Sequence, residues 1–351
     1  MKKIAILLLT VLMAASIAAC GPKDTPTTTP NPETGSGTVT NPVDKKTINI
    51  TTKFKDDDQT TMALEKVVKA INERSSGSLE LKLFTGGILP TGKDAMEQVV
   101  AGGNVILVGG VSLLGDYVPD YNALTGPFLY DTFDQYLAMT ETDLVKDLNK
   151  KIEEDHSVKV LSLDWFFGFR SMMANKAIKT PADMKGLNIR VPNNPIYTHT
   201  MKALGVNSVF MPYPDTHAAI QQGVIDGVEG SMKAYYETQQ YENVKEYSLT
   251  NHLLEVSAVV LSTKVWDGLS KAQQTIISQE FEKGMEENLS ETMKAEEEYT
   301  ELLEAEGVNF YEIDSEVFLK AVESVYTKFP EWTPGIYERI LEELDKIKSG
   351  Q

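Results

Sequence analysis

Between Thr47 and Phe54 the apolar residues Ile48 and Ile50 alternate with polar neighbours, and that period of two predicts a strand. The period then changes. After the acidic turn Asp56-Asp57-Asp58, residues Leu64, Val67, Val68 and Ile71 fall on one helical face, and Ser75-Ser76-Gly77 stops the helix. Leu79, Leu81 and Leu83 alternate as a second strand. Thr91 and Asp94 have the spacing of a capping box and open a helix through Val100; Gly102-Gly103 ends it, and Val105 to Val108 is a buried strand. Strand and helix in strict alternation predict parallel strands joined by crossover helices, an α/β class.

Further on, a helical pattern covers Asp134 to Glu154, and Val158 to Phe166 forms another apolar strand. Thr180-Pro181-Ala182-Asp183 combines an N-cap threonine, a proline at the first helical position and an acid three residues after the cap. The short turn delivers the chain to the apolar run Leu187 to Val191, closed by Pro192. Asp215 to Gln222 reads as a helix with Gly223 as its stop, and Val256 to Leu261 as a strand re-entering the first sheet. Ser270 with Gln273 caps a charge-rich helix that runs to Glu306, long enough to bridge two domains. Phe310 to Ile313, a helix after Ser315 and another from Pro334 to Ile347 complete the chain.

The first 46 residues belong to a different class. Lys2 and Lys3 precede an apolar run from Ile4 to Met13, and small residues lead to Ile17-Ala18-Ala19-Cys20-Gly21, the order of a secretory signal. Cys20 is the only cysteine, so a disulfide framework is excluded, and its position resembles a bacterial lipobox in which the cysteine becomes the lipidated first residue. The other reading is an ordinary signal peptide with an incidental cysteine. From Gly21 to Lys46 the chain is rich in Thr, Pro, Gly and Ser and reads as a disordered tether. The expected organisation is a signal at 1–20, a tether at 21–46, one domain opening at 47–166, a second at 167–255, and a shared C-terminal part at 256–348.

Charge narrows the function. The net charge of −18 argues against a nucleic-acid partner, and an anion site must rest on local donors. The chain has four arginines, Arg74, Arg170, Arg190 and Arg339, and Arg190 sits at the end of a predicted strand, where a guanidinium can meet a carboxylate through two parallel hydrogen bonds. His156, His199, His217 and His252 do not fall at metal-ligand spacings. Gly110-Val111-Ser112 begins like a nucleophile elbow, but Leu114 stands where that motif needs glycine. No cofactor or metal is expected.

The run Thr180-Pro181-x-Asp183-x-Lys185-Gly186-x-x-Ile189-Arg190-Val191-Pro192, followed by Ala219-Ile220-Gln221-Gln222-Gly223-Val224-Ile225-Asp226-Gly227-x-Glu229, resembles the DctP-type solute-binding protein of tripartite ATP-independent periplasmic (TRAP) transporters. Pro127-Phe128-Leu129, Trp165 to Arg170 and Trp266-x-x-Leu269-Ser270 extend the likeness from Thr47 to near the C-terminus. The resemblance implies a two-domain periplasmic-binding-protein-like fold with a cleft between the domains and a long helix spanning both. It also implies capture of a small organic acid, delivery to small and large membrane subunits, and no catalysis. The family's carboxylate-binding arginine maps onto Arg190, with Arg170 in support. The family's asparagine after Asp-Gly-x-Glu is replaced here by Gly230-Ser231. Trp165, Phe169 and Phe210 stand near predicted strand ends, where aromatics cover the apolar part of a ligand or fill core. Asn193, Ser231 and Tyr235 complete the candidate binding set, and Lys53 and Glu97 are candidates from the first domain. The lipobox would place the protein on the outer face of the cytoplasmic membrane. A lipoprotein enzyme acting on small anionic substrates and a surface adhesin are the rival readings.

Overall fold

A computed structural model describes residues 45–211 and 213–350; the signal with Cys20 and the expected tether up to residue 44 lie outside them, while Lys46, expected in the tether, opens the first strand. Strand β1 (Lys46–Thr52), helix α1 (Gln59–Arg74), β2 (Leu79–Phe84), α2 (Gly92–Val100) and β3 (Val105–Gly110) follow in the expected order, and β2 and β3 both pair parallel to β1. Helix α1 starts where the Asp58 carboxylate accepts from the Thr60 N–H at 2.9 Å, and it buries Leu64, Val67 and Ile71. Thr91 stands at the N-cap of α2, but its side chain makes no capping bond. The stretch expected as one helix from Asp134 is two, α3 (Phe133–Thr140) and α4 (Asp143–His156), because the Thr142 hydroxyl accepts from the Val145 N–H and starts a new helix there.

Strand β4 (Val158–Ala174) is followed by α5 (Pro181–Met184), β5 (Asn188–Val191), α6 (Pro195–Ala203), β6 (Asn207–Phe210), α7 (Thr216–Gln221), β7 (Gly227–Gly230) and α8 (Met232–Glu237). Then come β8 (Glu246–Ser262), α9 (Thr263–Asp267), α10 (Lys271–Ala305), β9 (Asn309–Glu312), α11 (Ser315–Val322) and α12 (Ile336–Ser349). Thr180 and Asp183 form the expected capping box before α5.

The strands join in the order β2-β1-β3-β8-β4-β7-β5-β6, with β9 beside β8. Strands β4 and β8, 17 residues each, run antiparallel from Val158 opposite Ser262 to Ala174 opposite Glu246. One end of β8 carries β3, and its other end carries β9, while β7 attaches to the far half of β4. Two long strands are thus shared by both ends of a curled sheet, giving the two-domain α/β architecture with a cleft where the pair passes between them. Both strands exceed the expected lengths because shifts of register at Val160/Ser162, Ser162/Trp165, Phe166/Gly168 and Arg170/Met172 break the alternation that marks a strand.

Helix α10, with Ser270 and Gln273 in a capping box, extends about 50 Å over 35 residues. Ile277 and Phe281 enter the core beneath β1, β2 and β3, while Leu303 packs with Val228, Tyr235 and Tyr247 in the core beneath β7. One helix therefore ties the two cores together. Gly284 lets it approach, since a Cβ there would lie 2.3 Å from Val67 Cγ2 and 3.0 Å from the Trp165 ring. Among the described residues no helix is long and apolar enough to cross a membrane.

Candidate functional site

The shared strands leave a cavity of about 450 Å³ bordered by the ends of β1 and β3, by β4, β5 and β8, and by the starts of α6 and α8. Two arginines face it. On β4, Arg170 donates through Nε to Glu229 Oε2 at 2.7 Å and through Nη2 to Glu229 Oε1 at 2.8 Å, and its Nη1 donates to Glu255 Oε2 at 2.7 Å. Glu229 is fully buried on β7 and also lies 3.3 Å from His252 Nε2. Burial pushes the Glu229 carboxyl up, but the Arg170 charge and the hydrogen bonds from His252 and Arg170 outweigh it and hold it down at about 2. Burial lowers His252, more than Glu229 raises it, so the imidazole is neutral: its Nε2–H donates to Glu229, and Nδ1 accepts from the Thr250 hydroxyl at 2.9 Å. Arg170 is a neutralised structural clasp.

Arg190 is in the opposite state. Its strand pairs parallel with β7, Arg190 opposite Val228, which aims the side chain at the same cavity. Its Nε donates to the Met211 carbonyl at 2.9 Å and its guanidinium lies over the Tyr213 ring at 5.1 Å. No carboxylate among the described residues pairs with its two terminal nitrogens. Burial lowers its pKa, and Glu229 offsets this only in part. Of the site's charges, Arg170, Arg190 and Lys53 oppose Glu229 and Glu255, leaving one positive charge over. Arg190 is thus held by one Nε bond, lines the cavity, and keeps two terminal nitrogens without a carboxylate among the described residues.

Ser231 also borders the cavity; its hydroxyl accepts from the Ala234 N–H and caps α8. Lys53 lines it from the end of β1, and Gly230 leaves space there, since an added Cβ would only touch Tyr213 and Arg170 at ordinary distances.

Other expected residues are elsewhere. Trp165 is buried against Phe281 and Val67, Phe169 packs edge-on to Phe166, and it is Phe167, stacked on Phe54 at 5.0 Å, that faces the cavity. The register shift between Phe166 and Gly168 separates residues that strict alternation would keep on one face: Phe169 joins Phe166 in the core, while Phe167 borders the cavity. Tyr235 is core, its hydroxyl donating to the Val244 carbonyl, and Phe210 is 51% exposed at the end of an edge strand. Asn193 and Glu97 are exposed and do not border the cavity; the neighbouring Asn194 does, while accepting from the Ile196 N–H to cap α6.

Sequence reasoning gave no role to Tyr197, Tyr213 or Glu255, or to Glu229 beyond its motif. Tyr197 lies beneath Arg170, with the guanidinium 5.2 Å above its ring. Glu229 stood out only as part of the Asp226-Gly227-x-Glu229 motif; its pairing with Arg170 on the neighbouring strand shows only in the assembled sheet.

A two-domain α/β chain with a cavity between its lobes has the architecture of a solute-binding protein. The model for bacterial extracellular solute-binding protein family 7, DctP, matches residues 50–331, and the chain belongs to this family, the solute-binding proteins of TRAP transporters. It is similar to a TRAP periplasmic solute-binding protein from Fusobacterium nucleatum, solved with bound sn-glycerol 3-phosphate: 60% identity, TM-score 0.79, covering 87% of this chain and 99% of that one. A second, from Desulfovibrio salexigens in complex with diglycerolphosphate, is 37% identical with TM-score 0.79, covering 87% and 98%. The 2,3-diketo-L-gulonate-binding periplasmic protein of Escherichia coli is 32% identical over 231 residues, 65% of this chain and 69% of that protein.

Proposed function

We propose that this protein captures a small hydroxylated acid, a phosphate ester of a short polyol, outside the cytoplasmic membrane and delivers it to TRAP membrane subunits. The observation that carries this reading is the unpaired fork of Arg190 in the cavity. A guanidinium takes a phosphate as readily as the carboxylate expected from the sequence, through the same two parallel donors. The relatives bound to sn-glycerol 3-phosphate and diglycerolphosphate support the phosphate ester, because 60% identity to the first spans nearly its whole length. In this account the lobes divide as 47–166 and 167–255, the segment 256–348 is shared, and ligand contacts from both lobes favour closure. Arg190 and Ser231 are proposed ligand contacts, Arg170 braces the wall they stand on, and Cys20 carries the lipid that holds the protein at the membrane.

A thermal-shift comparison of sn-glycerol 3-phosphate, glycerate, succinate and glycerol tests the reading. A ligand at one hundred times its dissociation constant stabilises by about 2.7 kcal/mol. Glycerol phosphate should give the largest rise. If glycerol raises the melting temperature and no acid does, the arginine-anchor account is wrong.

A further inference from the structure

Arg170 holds two carboxylates, and Glu229, fully buried behind it, is spent: Oε1 accepts from Arg170 Nη2, and Oε2 from Arg170 Nε and His252 Nε2. Glu255 is not. Its Oε2 accepts from Arg170 Nη1 at 2.7 Å, which fixes the carboxylate against the cavity wall. Among the described residues its Oε1 has only Lys53 near it, at 3.8 Å, beyond hydrogen-bond distance, and that lysine side chain is 58% exposed. The cavity therefore has two uncommitted functions of opposite kind: the donor fork of Arg190 and the acceptor Oε1 of Glu255.

We propose that Glu255 reads the uncharged, hydroxyl-bearing end of the ligand and turns away acids that carry a second negative group in its place. A carboxylate oxygen accepts a hydrogen bond from an alcohol and has no proton to give, so a hydroxyl satisfies it and an alkyl group leaves it stripped of water with nothing in return. A second carboxylate on the ligand meets like charge there, which acts as selection by repulsion. Arg170 holds Glu255 ionised: burial pushes its carboxyl up, yet Arg170 and Lys53 bring the net direction down. This inference rests on the acid-binding reading above and adds to it which end of the ligand is tested and by what.

Isothermal titration against three probes decides it: sn-glycerol 3-phosphate, propyl phosphate, which lacks both hydroxyls, and 3-phosphoglycerate, which replaces the terminal alcohol with a carboxylate. The wild-type chain should prefer glycerol phosphate to either by about ten- to a hundredfold. In Glu255→Gln the preference over propyl phosphate should fall to a few-fold, and 3-phosphoglycerate should bind at least about tenfold more tightly than it does to wild type. Arg170 keeps Glu229 in that variant, so the wall stands; the wild-type probe series needs no variant at all. Equal wild-type affinity for glycerol phosphate and propyl phosphate overturns this inference while leaving the acid reading intact, as does an unchanged preference in Glu255→Gln. Failure of wild type to bind any of the three acids brings down both.

Discussion

Arg170 grips Glu229 through two parallel hydrogen bonds of 2.7 and 2.8 Å, while Arg190, two strands away in the same sheet and facing the same cavity, has no carboxylate among the described residues on its terminal nitrogens. The two arginines therefore respond to removal in opposite ways. Arg170→Ala strands a fully buried carboxylate and should cost roughly 3–5 kcal/mol of unfolding free energy. Arg190→Ala removes a charge that burial already disfavours and should change stability by less than about 1 kcal/mol. Urea denaturation of the two variants without ligand checks the contrast.

One buried acid, Glu229, and one half-buried acid, Glu296, give stability opposite slopes with pH. Glu229 is held at about 2 against an ordinary 4.5, so its contribution is present above 4.5 and is lost as pH falls toward 2. Glu296, on α10 beside Gly168, is raised by burial to about 7. The folded state keeps a proton that the unfolded chain releases, so stability falls as pH rises from 4.5 to 7 and stays lower above it. Glu296→Gln should stabilise the protein by on the order of 3 kcal/mol at about pH 8 and by nothing at about pH 4. A pH-independent effect would show that Glu296 acts by packing alone.

Lys233 on α8 donates to Asp58 Oδ2 at 2.9 Å and to Gln59 Oε1 at 3.0 Å, joining the far end of the sheet to the start of α1. Both side chains of the ion pair are largely buried. Asp58→Asn keeps the acceptor that caps α1 through the Thr60 N–H and removes the charge. The substitution leaves the Lys233 ammonium with the Gln59 amide oxygen at 3.0 Å and Glu237 at 3.9 Å, so Asp58→Asn should cost about 1–3 kcal/mol of unfolding free energy in the ligand-free protein. An unchanged urea midpoint would show that the pair contributes nothing to the fold.

If Cys20 carries a lipid, Cys20→Ser should shift the protein from the membrane fraction to the soluble fraction of its host, and metabolic labelling with palmitate should mark wild type only. Membrane retention of the unlabelled variant would contradict the anchor.

Much of the frame was legible in the chain. The order from β1 to β3 was readable because each element there is set by local periodicity and ended by an acidic turn, Ser-Gly or Gly-Gly. Thr180 with Asp183, and Ser270 with Gln273, announced their helices because capping is a matter of neighbours. What failed was nonlocal. The bulge of β4 between Phe166 and Gly168 parts residues that strict alternation would keep on one face, so Phe167 borders the cavity while Trp165 and Phe169 pack into core. Arg170 and Arg190 were both visible as candidates, but their difference depends on Glu229 and Glu255, brought to Arg170 from other strands. Tyr197, Tyr213 and Glu255 belong to no local pattern and could be found only once the sheet was assembled.

The most direct test is isothermal titration of sn-glycerol 3-phosphate into wild type and Arg190→Ala. The account predicts saturable one-to-one binding by wild type and a loss of at least about a hundredfold in the variant, whose urea midpoint stays close to that of wild type. Binding by Arg190→Ala within threefold of wild type would contradict it.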